Sequence, residues 1–338
     1  MTAAEQPPRT DADAPALAPS LEPGRVLAGR YRIERLLGAG GMGAVHEATH
    51  LALDRRVALK VLHPALTVDA ALVARFRREA KTMAGLSHPN IVQVFDAGQE
   101  GPLVFLVMEL LAGSTLAGWI DARLPCDPGA LLPLVVPVGR ALSFVHARGL
   151  VHRDVKPDNV FLVQGDDGQL TPKVLDFGIA RPVSQEGARS ITATGSILGT
   201  PAYMAPEQAW GLKEITPAAD QWAFAAMLYE AFCGEIPHLC ETAHGLLVRR
   251  VSEPAADLGA RRPTLDPALV AALMRALATD PAARFPSMDA FLDALPGALS
   301  PVVAPSAVAA PLDLAATADA PPVVAPIAPP PTPVAVAW

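Results

Sequence analysis

Between Val151 and Phe161 the chain reads VHRDVKPDNVF. The eight residues from His152 to Asn159 hold one imidazole, two cations, two carboxylates and a carboxamide, with apolar residues at both ends. A polar run this dense is costly to hold against a core unless its groups bond one another or serve a site. A fold for this chain must therefore bring the run to a cleft, pin it at both ends and leave a carboxylate within reach of solvent. Asp154 and Asp158 are the two candidates.

The pattern on either side of the run narrows the fold. Order is expected to begin near Tyr31, where Tyr31, Ile33 and Leu36 open an alternating strand. AVHEAT and RVALKVL follow as strands with only a turn around Leu53-Asp54-Arg55 between them, and NIVQVFDAG and LVFLVMEL are two more. Between these pairs, Val73, Phe76, Ala80 and Met83 recur at helical spacing. From Ser114 onward the periodicity is mainly helical, in ALLPLVVPVGRALSFVHARG, DQWAFAAMLYEAF and PALVAALMRALA. Pro133 and Pro137 are expected to kink or shorten the first of these. The chain thus reads as α+β, a small antiparallel sheet with one main helix followed by a larger helical half, at 29–110 and 111–296.

Composition bounds the rest. Of 338 residues 51% are hydrophobic, enough to bury a sizeable core, and the two ends are denser in proline than the rest. Residues 1–28 and 297–338, rich in Pro and Ala, are expected to be disordered. The net charge of −7 excludes the basic footprint of a nucleic-acid binder. No segment reads as a signal peptide, and no apolar run is long enough to span a membrane, so a cytoplasmic location is expected. Cys126, Cys233 and Cys240 form no Cys-x-x-Cys pair and read as reduced thiols. His238, Cys240 and His244 in PHLCETAHG lack an evident fourth ligand and read as a surface loop rather than a metal site.

Two further stretches carry chemistry. Gly38-Ala39-Gly40-Gly41-Met42-Gly43-Ala44-Val45 fits G-x-G-x-x-G-x-V. A dinucleotide fold would need these glycines to open a helix, and a P-loop would need Gly-Lys-Ser/Thr; here a strand follows, so the glycines belong to a β-hairpin tip. At such a tip backbone N–H groups can lie against phosphate oxygens. Lys60, in VALK, alternates onto the same face as Ala58, the face that the hairpin covers. Glu79 follows on the helix, beside the Phe76, Ala80 and Met83 stripe, placed to pair with Lys60.

In this order GAGGMGAV, VALK, Glu79, HRDVKPDN, DFG (176–178) and APE (205–207) resemble the protein kinase signature set, from about Tyr31 to about Leu295. HRDVKPDN together with GTPAYMAPEQ is similar to the bacterial, eukaryotic-like (Hanks-type) serine/threonine kinases; Lys156 sets it apart from the tyrosine-specific form. The resemblance implies a bilobal kinase fold that uses ATP with Mg²⁺ or Mn²⁺ and takes Ser/Thr hydroxyls of proteins as substrate. It implies Asp154 as the group that orients the hydroxyl, Lys156 beside the γ-phosphate, Lys60 on the α- and β-phosphates, and Asn159 and Asp176 as metal ligands. Asp158 is left without a chemical role, and His152 is implied to be a packed core residue under Phe177. Leu37, Val45, Ala58 and Phe161 would sandwich the adenine, with Met108 behind it and the Glu109 carbonyl and Leu111 N–H reading its edge.

Regulation is implied by the same likeness. Arg153 precedes the catalytic aspartate, a pattern that goes with activation by a phosphate on the segment RPVSQEGARSITATGSILGTPAYMAPEQ. Thr192 and Thr194 are the favoured phosphosites, and Thr200 is a structural residue of the substrate site. Glu207 is expected to pair with Arg284, and Asp220 to brace the backbone of the catalytic loop. A soluble partner is expected to act through the C-terminal tail. Two other readings compete, a nucleotide-gated pseudokinase scaffold and a small-molecule phosphotransferase. The intact catalytic set disfavours the first, and Lys156 with the GTP…APE segment disfavours the second.

Overall fold

The computed structural model describes residues 21–40, 43–68, 70–176, 201–212, 214–240 and 242–296. Its first half is a curled antiparallel sheet in the order β1-β2-β3-β4-β6-β5, formed by β1 (Val26–Leu27), β2 (Tyr31–Gly40), β3 (Gly43–His50), β4 (Arg55–Leu62), β5 (Val94–Glu100) and β6 (Leu103–Glu109). A short helix α1 (Pro64–Thr67) leads into α2 (Ala70–Ala84), which packs on β5. The alternation read from the sequence sorts the sheet into two faces. Val57, Leu59 and Val61 join Ile33 and Phe105 in an outer cluster, while Ala58 and Lys60 turn to the inner face.

Order starts earlier than the composition suggested. Residues 21–28, expected to belong to a disordered N-terminus, form a strap that includes β1 and lies on the outer face. Leu21 and Leu27 are buried in the outer cluster, and Leu21 N–H donates to His46 Nε2 at 3.0 Å. The apolar anchors offset the entropy of ordering a segment whose composition alone reads as loop. Residues 1–20 and 297–338 lie outside the described residues.

The second half opens with β7 (Gly113–Thr115), α3 (Leu116–Asp121) and α4 (Pro128–His146), then the hairpin β8 (Val160–Gln164) and β9 (Leu170–Val174). Helices α5 (Pro206–Ala209), α6 (Ala218–Cys233), α7 (Ala243–Ser252), α8 (Leu258–Arg261), α9 (Pro267–Ala276) and α10 (Met288–Asp293) complete it. Helix α6 is buried on nearly all sides, which suits the central helix of a lobe.

Two local expectations need correction. Helix α4 runs unbroken through Pro133 and Pro137. Asp127 caps its first turn by accepting from Ala130 N–H, Pro128 is pre-set for that turn, and a continuous buried face from Leu131 to Val145 outweighs the two missing hydrogen bonds. By length and composition the same helix could cross a membrane, but Arg140 interrupts its apolar run, as expected, and half of it is buried inside the protein, as befits a core helix. His238 is not a surface-loop residue. It is buried, stacks on Trp222 at an interplanar angle of 20°, and its Nε2 bonds the Glu253 carbonyl at 3.1 Å. A flat ring is what that niche selects, and the imidazole supplies one with a polar edge.

Candidate active site

The glycine stretch sits at a β-hairpin tip. Gly38 pairs with Val45 and Gly40 with Gly43 across β2 and β3; Gly41 and Met42 lie outside the described residues. Gly43 has φ 149°, and a Cβ there would stand 2.0 Å from the Val61 carbonyl oxygen, so only glycine lets β3 start this close to β4. Leu37, Gly38, Ala39 and Gly40 lie on β2 on the way to the tip.

A small apolar cluster forms where the two halves meet. Ala58, Met108, Leu111 and Phe161 are buried in it, with Val45 packed at its edge. These residues come from β4, the end of β6, the connection that follows it, and β8, so both halves contribute. Glu109 does more than lie on the rim. Its side-chain Oε1 accepts from Gln93 N–H at 2.8 Å and from Lys173 Nζ at 2.6 Å, which ties β6 to β9 across the crossing. Lys173 carried no signal in the sequence, because its partner is set only by the packing of the two halves.

The dense polar run resolves into a clamp built around one backbone. Asp220, 1% exposed on α6, accepts from Arg153 N–H through Oδ1 and from His152 N–H through Oδ2, both at 2.8 Å. His146 Nε2 bonds the same Oδ2 at 2.7 Å. Burial alone raises the Asp220 carboxyl, but the His146 hydrogen bond, the two nearby imidazoles and the His152 backbone bond outweigh it, so its pKa lies below the ordinary carboxylate value. His152 is fully buried; its Nδ1 accepts from Asp154 N–H at 3.2 Å, which leaves the proton on Nε2, facing the Leu175 carbonyl at 2.9 Å. That ring is committed to holding backbone rather than to proton transfer. Phe177 lies outside the described residues.

The functional side chains fan out from this clamp. Asn159 Nδ2 donates to the Asp154 carbonyl at 2.8 Å and to Asp154 Oδ2 at 3.1 Å, and Lys156 Nζ stands 3.5 Å from the same oxygen. Asp158, by contrast, is exposed. Lys60 Nζ meets Asp176 Oδ2 at 2.6 Å, joining β4 to the second residue after β9. Glu79 is half-buried on α2. Arg153 and Asp176 have φ of 65° and 42°, a region that non-glycine residues occupy at a cost and that tends to mark functional sites. At the far end of the lobe Arg284 donates to both carboxylate oxygens of Glu207, at 2.7 and 2.8 Å. Thr192, Thr194 and Thr200 fall outside the described residues.

A glycine-rich hairpin, a cationic strand residue paired with a carboxylate, and an Asp–Lys–Asn cluster on a braced loop are the kinds of part that a phosphoryl-transfer site uses. Residues 31–292 match the protein kinase domain, and the chain belongs to the protein kinase family, on its bacterial serine/threonine branch. It is 40% identical to the serine/threonine-protein kinase Pkn1 of Myxococcus xanthus over 282 residues, 83% of this chain and 40% of that one. It is 39% identical to PknA of Mycobacterium tuberculosis over 80% of this chain and 62% of the relative. The solved PknI kinase domain of Mycobacterium tuberculosis superposes with a TM-score of 0.64 at 34% identity, covering 82% of this chain and 98% of that domain. The chain spans half or less of the length of the three Myxococcus relatives it matches. Family membership implies ATP and a divalent cation as cofactors and proteins as substrates.

The donor set fits that pair. Asn159 spends its Nδ2 on Asp154 and keeps a carboxamide oxygen, and Asp176 supplies carboxylate oxygens, a hard-oxygen set suited to Mg²⁺ or Mn²⁺ rather than a softer metal. The apolar wall of Ala58, Met108 and Phe161 suits a flat heterocycle.

Proposed function

We propose that this chain is an ATP-dependent serine/threonine protein kinase that moves the γ-phosphoryl group of Mg²⁺- or Mn²⁺-bound ATP to hydroxyls of proteins. The observation that carries the reading is the Asp154 cluster, with Asn159 and Lys156 both within reach of one carboxylate oxygen on a braced backbone. Asp154 accepts and orients the incoming hydroxyl. Lys156 offsets charge on the transferring group, and Lys60 holds the phosphates that precede it. Asn159 and Asp176 would hold the cation, whose charge would offset that of the phosphates. The hairpin of β2 and β3 excludes water, and Glu79 sets the position of Lys60 when α2 is docked. Leu37, Val45, Ala58, Phe161 and Met108 enclose the adenine, with the Glu109 carbonyl and Leu111 N–H at its edge.

The test is labelled ATP with Mg²⁺, with the wild type and Asp154→Asn each incubated alone and with a generic basic protein. Label from the wild type is expected, falling about 10²–10⁴-fold in the variant, the usual cost of losing a general base. Wild-type chain that labels neither itself nor the added protein would refute the activity. The same digest tests autophosphorylation, for which Thr192 and Thr194 are proposed as sites that engage Arg153; label confined to other residues refutes that assignment. Thr200 is proposed to brace the substrate site. A cytoplasmic location and a soluble partner acting through residues 297–338 are also proposed, on composition. The tail role fails if truncation at about residue 297 leaves partner capture unchanged.

A further inference from the structure

Gln208 is a buried carboxamide to which none of the kinase motifs assigns a task. It lies in α5 and is 5% exposed. Its Oε1 accepts from Ala205 N–H at 3.1 Å, and its Nε2 donates to the Arg153 carbonyl at 3.0 Å. The two bonds fix the orientation of the amide, because a flipped amide would set donor against donor and acceptor against acceptor. The first bond is half of a capping box, in which the third helical residue reaches back to the N-cap backbone, and Glu serves there as well as Gln. The second bond needs a donor, which a carboxylate lacks.

The acceptor of that second bond is what gives it meaning. The Arg153 carbonyl belongs to the peptide that carries Asp154. Arg153 is held at φ 65°, and its own N–H is held by Asp220 at 2.8 Å. The N–H edge of the Arg153–Asp154 peptide is held by His152 Nδ1 at 3.2 Å. Gln208 holds the opposite, carbonyl edge, and it does so from the helix that closes the segment carrying Thr192, Thr194 and Thr200.

We infer that Gln208 is a positioning residue for phosphoryl transfer: its Nε2–H pins the Arg153 carbonyl, keeps the strained peptide turned so that Asp154 faces the hydroxyl, and ties that aim to the seating of α5. It touches neither nucleotide nor substrate. The inference rests on the reading of Asp154 as the hydroxyl-orienting group and adds what holds that group in place.

The test measures kcat, the KM for ATP and Tm on the full chain for the wild type, Asp154→Asn, Gln208→Met and Gln208→Glu. Gln208→Met keeps the length and loses both bonds; Gln208→Glu keeps the cap but sets acceptor against acceptor. Both are expected to lower kcat about ten-fold, short of the ~10²-fold that a 1 Å misplacement can cost, with KM for ATP within about two-fold. Relative to the wild type, Gln208→Glu should regain rate between about pH 8 and about pH 6.5, since a buried carboxyl protonates early and then donates to the carbonyl again. Wild-type kcat in Gln208→Glu at about pH 8, or a deficit that pH does not change, overturns the proposal even if Gln208→Met fails to fold. Full activity of Asp154→Asn overturns the reading of Asp154 and the inference with it, so the two failures are told apart.

Discussion

Two ion pairs bracket the helical half, and they are built in opposite ways. Glu207–Arg284 is sealed: Arg284 is 2% and Glu207 5% exposed. The guanidinium spends its donors on both carboxylate oxygens and on the carbonyls of Ala278, Ala218 and Thr279. In Lys60–Asp176 the ammonium meets one oxygen of a carboxylate that is 34% exposed. An arginine fork with every donor satisfied holds one geometry. A lysine whose carboxylate partner is open to solvent keeps a contact that other oxygens can replace. The sealed pair fixes the lobe, and the open one is available to the reaction.

Breaking each pair should sharpen that contrast. The largest effect is expected from Glu207→Ala, which strands a buried guanidinium. Unfolding free energy should fall by about 3–5 kcal/mol, read by denaturant titration, and a loss below about 1 kcal/mol would place the pair with surface bridges. Next comes Lys60→Met. Its denaturation midpoint should stay near wild type, while kcat/KM with ATP falls about 10²–10³-fold, the range for removing one preorganised charge. A variant that lost stability in proportion to rate would make the two pairs equivalent. The smallest effect belongs to Asp220, whose folded pKa is depressed. Its ionised form adds stability above the unfolded Asp value of about 3.9, and that contribution is lost as pH falls through the lower folded value. Acid melts of Asp220→Asn should show a shallower loss over that window, and an unchanged slope would remove the carboxylate from the account.

The same contrast governs what the sequence could show. Residues that act through local chemistry were legible: the glycine hairpin, the alternation that put Ala58 and Lys60 on one face, and the crowding from His152 to Asn159. Residues whose partners lie far along the chain left no local mark. Leu21 needs the outer face of a sheet it precedes, Lys173 needs Glu109 across the crossing, and Gln208 needs a carbonyl presented only when Arg153 adopts its left-handed turn. His238 and the unbroken α4 mislead for a related reason: a His-Cys-His cluster and interior prolines argue locally for an exposed ring and a break, and burial decides otherwise.

The stretch between α2 and β5 has a mechanical consequence. Val174 N–H donates to the Asn90 carbonyl at 2.8 Å, Val92 N–H to the Val174 carbonyl at 3.0 Å, and Asn90 Nδ2 to the Pro172 carbonyl at 2.8 Å. Three bonds within a few residues moor the upper half to β9, two residues before Asp176. A mooring that short resists sliding and permits rotation, so it serves as a fulcrum. About such a fulcrum the hairpin tip near Gly40 and Gly43 is the long arm of the lever and Asp176 the short one. A small tilt about it would therefore displace Gly40 and Gly43 more than Asp176.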